Sequence, residues 1–517
     1  MELTPQSIWA KYQKDKDFKK KIDLYEKVKK QENFFIGRQW EGVNAPDLPK
    51  PVLNIVKRVT NYLISILVVD DVGIAFRSYK PQEQIVALDG MGNPVVTQPI
   101  IEDVLPKEIE RINENVKFKT ILRKVLRNAA VDGDTAVFCR FDSTKGKDTA
   151  EQVKGEIVAE IVDNTNIHFG NSMTADVQSQ PYIIISRLEQ TKELQKEYPD
   201  KTIRADGDDW DFEKSDSEVT TVLNYMWKEN GTVHFCQCTE TEMLTEPADT
   251  GLTMYPVSYF SWEAVKNCYH GVGVVEEVIP NQIEINKLWA MSLLFQRNNA
   301  FSTTFIDKTK IEKWDNRVGG VIGVVGNPNE AFASSFKPHD MSSQVIDLVE
   351  RTISHTKEFM GANDAVLGNV NPQNTSALIQ LQKTSAAPLE LQRLSFYQFI
   401  EDYIRILVDI VRTSYGIRLV TDEDGTRTVD FTQLDFDKDI NVDIGTAAYW
   451  SETAQIQTMD NLFTKGIITD AKIFVRSIPD KNLPNKNEIL QHLEEKEQQA
   501  MMQQQMMGGM TNVQMPM

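Results

Sequence analysis

Pro280-Asn-Gln-Ile-Glu-Ile-Asn-Lys-Leu-Trp-Ala-Met-Ser-Leu-Leu-Phe-Gln-Arg297 is the stretch on which the reading of this chain turns. Its apolar residues Ile283, Ile285, Leu288, Trp289, Leu293 and Phe295 recur at helical spacings. Pro280 suits the first turn of a helix, where its missing N–H is no loss. At about 1.5 Å per residue the predicted helix 280–297 spans about 27 Å. Residues 301–336 change to β-like character, with Val318-Gly-Gly-Val-Ile-Gly-Val-Val-Gly326 as a Gly-punctuated strand and turn. A second helical pattern, 341–360, carries Val345, Ile346, Leu348, Val349, Ile353, Phe359 and Met360 over about 30 Å. The expectation is a small β module set between two helices of matching length.

Downstream lies 361–376, rich in Asn and Gly with one acidic and no basic residue, which reads as a mobile loop. The longest helical pattern follows, 376–415, about 60 Å if unbroken. Pro388 lies inside it and cannot donate a backbone hydrogen bond, so a kink is expected there. A hairpin is predicted from Ile417–Thr421, Asp424-Gly425 and Thr426–Phe431, then helices near 453–464, 470–475 and 486–505. The last 17 residues hold seven Met with Gln and Gly, a low-complexity tail.

Upstream, residues 8–31 read as a solvated helix with nine Lys against four acids between positions 11 and 30. Contact with an acidic neighbouring subunit is the other reading of that polarity. Asn54 opens an apolar helical run, Ile55–Val69, and 106–130 carries a second, ending at the turn Asp132-Gly133-Asp134. Short β-like segments follow at 136–141, 155–162, 182–186, 219–227, 232–238 and 254–262, giving a mixed α/β region.

The chain has 517 residues, 41% hydrophobic, so it can bury a sizeable core, and its length fits several domain-sized units. Its 56 basic and 75 acidic side chains leave a formal charge of −19, which argues against coating DNA by phosphate neutralisation. Cys139, Cys236, Cys238 and Cys268 are too few for a disulfide framework, so a reducing compartment fits. No apolar leader opens the sequence, and no apolar run approaches the ~20 residues of a membrane span. A cytosolic origin without a membrane is expected.

The usual chemical signatures fail. There is no P-loop and no nucleophile elbow, and the six His form no hydrolase pairing. His270-Gly271-Val272-Gly273 resembles a phosphate loop but lacks its third glycine, position 276 being Glu. His234, Cys236 and Cys238 share one face of a strand, where buried side chains are a better reading than zinc, since no further ligands follow. Asp435, Asp437, Asp439, Asn441 and Asp443 mimic a calcium loop, but Ile440 and Thr446 stand where Gly and Glu are needed. No cofactor and no metal is expected.

The order of parts, apolar helix, β-rich insertion, second helix, polar loop and long kinked helix, resembles the portal proteins of tailed bacteriophages. Local sequence agrees: Phe35-Ile-Gly-Arg-Gln-Trp40 with Pro51-Val-Leu-Asn54, then Ala130-Val-Asp-Gly-Asp-Thr135. Gly271-Val-Gly273 with Asn281-Gln282 and Asn286 follows, and later Trp450-Ser451 with Gly466-Ile467-Ile468. The similarity runs from about residue 30 to about 490.

The resemblance implies a mixed α+β portal fold. An α/β wing with the N-terminal region would take 1–270, a helical stem 271–300 and 339–362, and a small β-rich clip 301–338. A tunnel loop would take 363–376, the long kinked wing helix 377–416, a mainly helical crown 417–505 and a disordered tail 506–517. It implies a cyclic homo-oligomer, usually of twelve subunits, at one capsid vertex of the virion, assembled in the host cytoplasm. Double-stranded viral DNA would pass through it during packaging and ejection. The terminase large subunit, head–tail connector or adaptor, major capsid and scaffold proteins would be its partners.

On that reading Asn363, Asn369, Asn371, Gln373 and Asn374 face DNA from the tunnel loop, while Lys308, Lys310 and Lys313 in the clip meet partners. An acidic or neutral wall would keep a sliding polyanion weakly held. Not an enzyme is the expectation. The competing readings are a metal-dependent nuclease or hydrolase using the acids at 206–213 or 435–443, and another capsid-associated ring adaptor.

Overall fold

The structure is a computed structural model that describes residues 3–68, 71–78, 85–88, 94–97, 104–145, 155–206, 218–299, 303–311, 322–327, 329, 333–336, 343–361, 389–422, 425–431, 440–447, 459–465, 474–475, 489 and 492. These residues fall into two units, Met1–Leu67 with Phe76–Asp443, and Val68–Ala75 with Ile444–Met517.

The first unit begins with helices α1 (Pro5–Lys21) and α2 (Leu24–Ile36). A single helix was expected over 8–31. The pattern breaks at Asp23, which takes the left-handed conformation with φ 55°, so α2 turns away while its apolar face, Leu24, Tyr25, Phe34 and Phe35, stays buried. Helix α3 (Ile55–Val68) follows, then β1 (Asp71–Ser78), most of which belongs to the second unit, and β2 (Ile85–Leu88) and β3 (Pro94–Thr97), which form a hairpin. The expected helix 106–130 is likewise two, α4 (Leu105–Asn115) and α5 (Phe118–Asp132), split at Lys117, also left-handed at φ 55°. Neither break carries Gly or Pro, the residues that announce such turns.

Strands β4 (Asp134–Asp142), β5 (Glu156–Asp163), β6 (Ile167–Phe169) and β7 (Tyr182–Gln190) come next, then helix α6 (Thr191–Glu197). Strands β8 (Val219–Glu229), β9 (Thr232–Cys238), β10 (Met243–Asp249) and β11 (Val257–Ser261) complete two antiparallel sheets. One has the order β11-β4-β5 and the other β10-β9-β8-β7-β6. Buried Ala136, Phe138 and Val162 of the first pack with Ile167, Phe169, Ile183, Ile185 and Met226 of the second. Helix α1 covers the five-stranded sheet, setting Ile8 and Tyr12 against Ile184, Leu223, Tyr225, Cys236 and Cys238. At that sheet's edge, β10 contains Pro247, and its register to β9 shifts twice, between Met243 and Thr245 and between Thr245 and Ala248.

Helix α7 (Val274–Asn299) has 26 residues and leads to β12 (Thr303–Ile306), which pairs antiparallel with β13 (Ala333–Phe336). Helix α8 (Ser343–Phe359), 17 residues, returns beside α7. The two helices were expected to match in length; they are about 39 and about 26 Å long. Pro280 was expected at the start of the first, but the helix begins six residues earlier. Burial of Val274, Val275, Val278 and Ile279 outweighs the ~3 kcal/mol that an interior proline costs.

Helix α9 (Glu390–Ser414) begins two residues beyond Pro388 and lies on β11 and β4. Its Phe396 and Phe399 rings meet Phe260, and the carbonyl of Phe399 accepts from Ser258 Oγ at 2.9 Å. Strands β14 (Ile417–Asp422) and β15 (Gly425–Asp430) form the expected hairpin, and β16 (Ile440–Ala447) pairs with β1. In the second unit a helical turn at 459–464 precedes a stack of Phe463 on Phe474, with ring centroids 4.7 Å apart. Among the described residues no helix is long and apolar enough to cross a membrane.

Candidate functional site

Most of the short motifs that the sequence singled out converge on the first half of α7. Gln282, wholly buried, caps α3: its Oε1 accepts from the N–H groups of Ile55 (2.9 Å) and Val56 (3.3 Å). Its Nε2 donates to Leu53 O at 2.7 Å and to Asn286 Oδ1 at 2.9 Å. Asn286 Nδ2 in turn donates to Gln39 Oε1 at 2.7 Å, and Gln39 Nε2 to Phe34 O at 3.1 Å. Around this amide chain, Trp40 Nε1 donates to Pro51 O (2.8 Å) and Asn54 Nδ2 to Phe35 O (2.9 Å). Each donor finds an acceptor away from water, so losing one partner strands the other at a cost of ~1–3 kcal/mol.

The Asp132-Gly133-Asp134 turn meets Gly271-Val272-Gly273 behind that network. Gly133 has φ 100°, and a Cβ there would strike the carbonyl of Gly271. A Cβ on Gly273 would lie 2.7 Å from Ala130 O. These glycines therefore let two backbones touch; the glycine pair after His270 is a packing device and not a phosphate loop. Asp134 fixes the contact by accepting from Gly271 N at 2.8 Å, and His270 Nδ1 lies 3.2 Å from both of its carboxylate oxygens.

A buried charged cluster ties α1 to the same place. Lys19 is fully buried, and its Nζ donates to the carbonyls of Asn164 (2.9 Å), Thr165 (3.0 Å) and Ile167 (2.5 Å), 3.8 Å from Asp15. Asp15 accepts from His168 Nδ1 at 2.7 Å and from Tyr269 Oη at 3.0 Å. Burial lowers Lys19 to about 8, against the pull of Asp15. Burial also lowers His168 to about 4, helped by the Lys19 charge. Burial by itself would raise Asp15, but the His168 hydrogen bond and Lys19 hold it below the ordinary carboxylate value. The solvated lysine helix expected over 8–31 thus needs correcting at Lys16 and Lys19, which are buried, whereas Lys14, Lys20, Lys21, Lys27, Lys29 and Lys30 are exposed.

Elsewhere, the Cys236 and Cys238 side chains are buried and burial pushes both thiols up to about 12, which suits inert core residues. His234 stacks on Trp227 instead of joining them. Among the described residues no three His, Cys, Asp or Glu side chains are placed to hold a metal ion. Asp206 Oδ2 accepts from Thr221 N at 2.8 Å; the rest of the 206–213 acidic loop, and Asp435, Asp437 and Asp439, lie outside the described residues.

Lys308 and Lys310 lie in the turn that leaves β12, Lys308 exposed and Lys310 half-buried. Asp307 Oδ1 shapes that turn by accepting from Thr309 N (2.9 Å) and Thr309 Oγ1 (2.6 Å). Lys313, Asn363, Asn369, Asn371, Gln373, Asn374 and Pro388 lie outside the described residues. The Gln39–Asn286–Gln282 chain was visible in the sequence only as separate motifs, although the Gln282/Asn286 and Asp15/Lys19 spacings of four put each pair on one helix face.

The described residues thus form a mixed α/β body in which two long adjacent helices, α7 and α8, bracket the paired strands β12 and β13. Residues 196–517, more than half of the chain, match the family model of the phage P22-like portal protein, and the chain belongs to that family. Membership makes it a phage portal protein, an oligomeric component of a capsid vertex. No curated protein matches the chain.

Proposed function

We propose that copies of this chain close into a ring, of twelve subunits as in related proteins, that conducts viral double-stranded DNA through one capsid vertex during packaging and ejection. The observation that carries the proposal is the apolar side chains left uncovered on the α7–α8 pair. Met291 is 55% exposed, Ile346 39%, Leu348 51% and Phe359 87%, while α8 buries only Val349 and Thr356 among its described side chains. Apolar area of that kind gains ~25 cal/mol per Å² when covered, and side-by-side packing around a symmetry axis covers it in every copy at once.

In this reading α7 and α8 are the stem, the β12–β13 hairpin belongs to the clip, and the two sheets with α1–α6 form the wing. The clip offers Lys308, Lys310 and Lys313 to the terminase large subunit or a head–tail connector, and the wing and crown meet major capsid and scaffold proteins. The loop 363–376 presents Asn363, Asn369, Asn371, Gln373 and Asn374 to DNA, with Pro388 bending the helix behind it. No catalysis is assigned. Light scattering of the purified chain, with negative-stain images, tests the ring: annular particles with a central hole are expected, and a stable monomer at high concentration contradicts it. Deleting 363–376 should leave rings intact and abolish packaging.

A further inference from the structure

Residues 55–68 and 117–131 hold seven Lys and Arg and no acidic residue, in a chain whose formal charge is −19. The fold gathers these cations on one face. Helix α5 exposes Lys119, Arg123 and Lys124, and α3 exposes Lys57 and Arg58. The two helices share one landmark, the ring of Phe35: Lys57 Nζ stands 5.9 Å from its centroid and Arg127 Cζ 5.1 Å. Arg127 is neutralised by Glu32 of α2, whereas Lys57, Arg58, Lys117, Arg123 and Lys124 have no ion-pair partner among the described residues. Like charges four residues apart, as at Lys119 and Arg123, work against a helix.

The opposite charge collects elsewhere in the same unit. Residues 229–249 hold five acids and no Lys or Arg. They form the β9–β10 hairpin with the turn before it; Glu229, Glu240, Glu246 and Asp249 are exposed and Glu242 is half-buried. Strand β10 is one edge of the five-stranded sheet, whereas α5 packs on β4 and β5 of the three-stranded one. Each chain therefore carries two patches of opposite sign on different elements.

We propose that the basic α3–α5 face of one copy docks on the acidic β9–β10 edge of the next, a head-to-tail contact between unlike patches. Contacts of this kind repeat from copy to copy and make a ring when the rotation closes. The inference rests on the ring reading and adds which surfaces meet. A second copy is the occupant that the charges favour, because every copy brings both signs and each junction in a closed ring is matched. A DNA duplex laid on the same face would run past it onto the surface of a strongly acidic chain. Matched charge fixes orientation and register more than strength, so the contact sets direction around the ring while apolar area on α7 and α8 supplies affinity.

Charge reversal in the full chain, read by light scattering, tests the contact. Arg123→Glu with Lys124→Glu, and separately Glu240→Lys with Glu246→Lys, should each raise the protomer concentration for half-assembly roughly tenfold, with circular dichroism of the protomer unchanged. An equimolar mixture of the two should assemble again in strict alternation, since each reversed face then meets a reversed partner. Lys57→Glu with Arg58→Glu replaces the first variant should that one fail to fold, and the same outcome is expected. Variants that assemble like the unaltered chain, or a mixture that stays dispersed, overturn the contact and leave the ring standing; an unaltered chain that stays monomeric overturns both. Unchanged assembly with loss of DNA-duplex retention in Arg123→Glu with Lys124→Glu overturns it in favour of nucleic acid on that face.

Discussion

Seven side chains of α7 are buried between Val274 and Asn286, against two, Ala290 and Ser292, between Lys287 and Asn299. In the first half, backbone contact at Gly271 and Gly273 and the amides of Gln282 and Asn286 tie the helix to three other segments of the same chain. In the second half Met291 looks into solvent. The first half is tied to other segments of the same chain, and the second leaves Met291 uncovered among the described residues.

Breaking the first half should cost most. Gly271→Val would drive its Cβ against Ser261 Oγ and to 2.7 Å from Glu263 O, with an expected loss of at least ~4 kcal/mol in urea unfolding; Gly323→Ala, with nothing within 4 Å, should stay within about 0.5 kcal/mol. Gln282→Leu removes the acceptor of two N–H groups and the donor to Leu53 and Asn286 at once. A loss of ~3 kcal/mol in the same measurement is expected.

Acidification probes the buried cluster beside that root. The unfolded His168 takes its proton near 6.5 and the folded one only near about 4, so across that window the unfolded state binds more protons and stability falls as pH falls. Asp15, held low in the fold, loses its contribution in the same direction on further acidification. The His168 effect is on the order of 3 kcal/mol, and unfolding midpoints of wild type and His168→Asn between pH 7 and 4 should converge. Phe359→Ser, at 87% exposure, should change protomer stability by less than about 0.5 kcal/mol while light scattering shows the oligomer weakened. A large loss of protomer stability instead would erase the distinction between the two halves.

Where periodicity was strong, the sequence was legible. Thr232–Cys238 was read to the residue, and the hairpin around Asp424-Gly425 was read from its turn signal. Asp23 and Lys117 hid their breaks because both take the left-handed conformation without being Gly or Pro, the residues that announce such turns. Pro280 misled because local backbone chemistry was weighed without the burial of the four apolar residues before it. Lys19 looked solvated since nothing in a run of lysines tells which ammonium will meet three carbonyls 145 to 148 residues away. The candidate site was half legible: its glycines and amides stood out as motifs, but pairing partners 227 or 247 residues apart leave no mark on spacing.

Strand β10 carries a further implication. A straight outer strand invites a like strand from any passing molecule, and such zippering has no natural stopping point. Pro247 and two slips of register in seven residues leave this one crooked and short of donors. Strand addition at this edge of the sheet is thereby disfavoured.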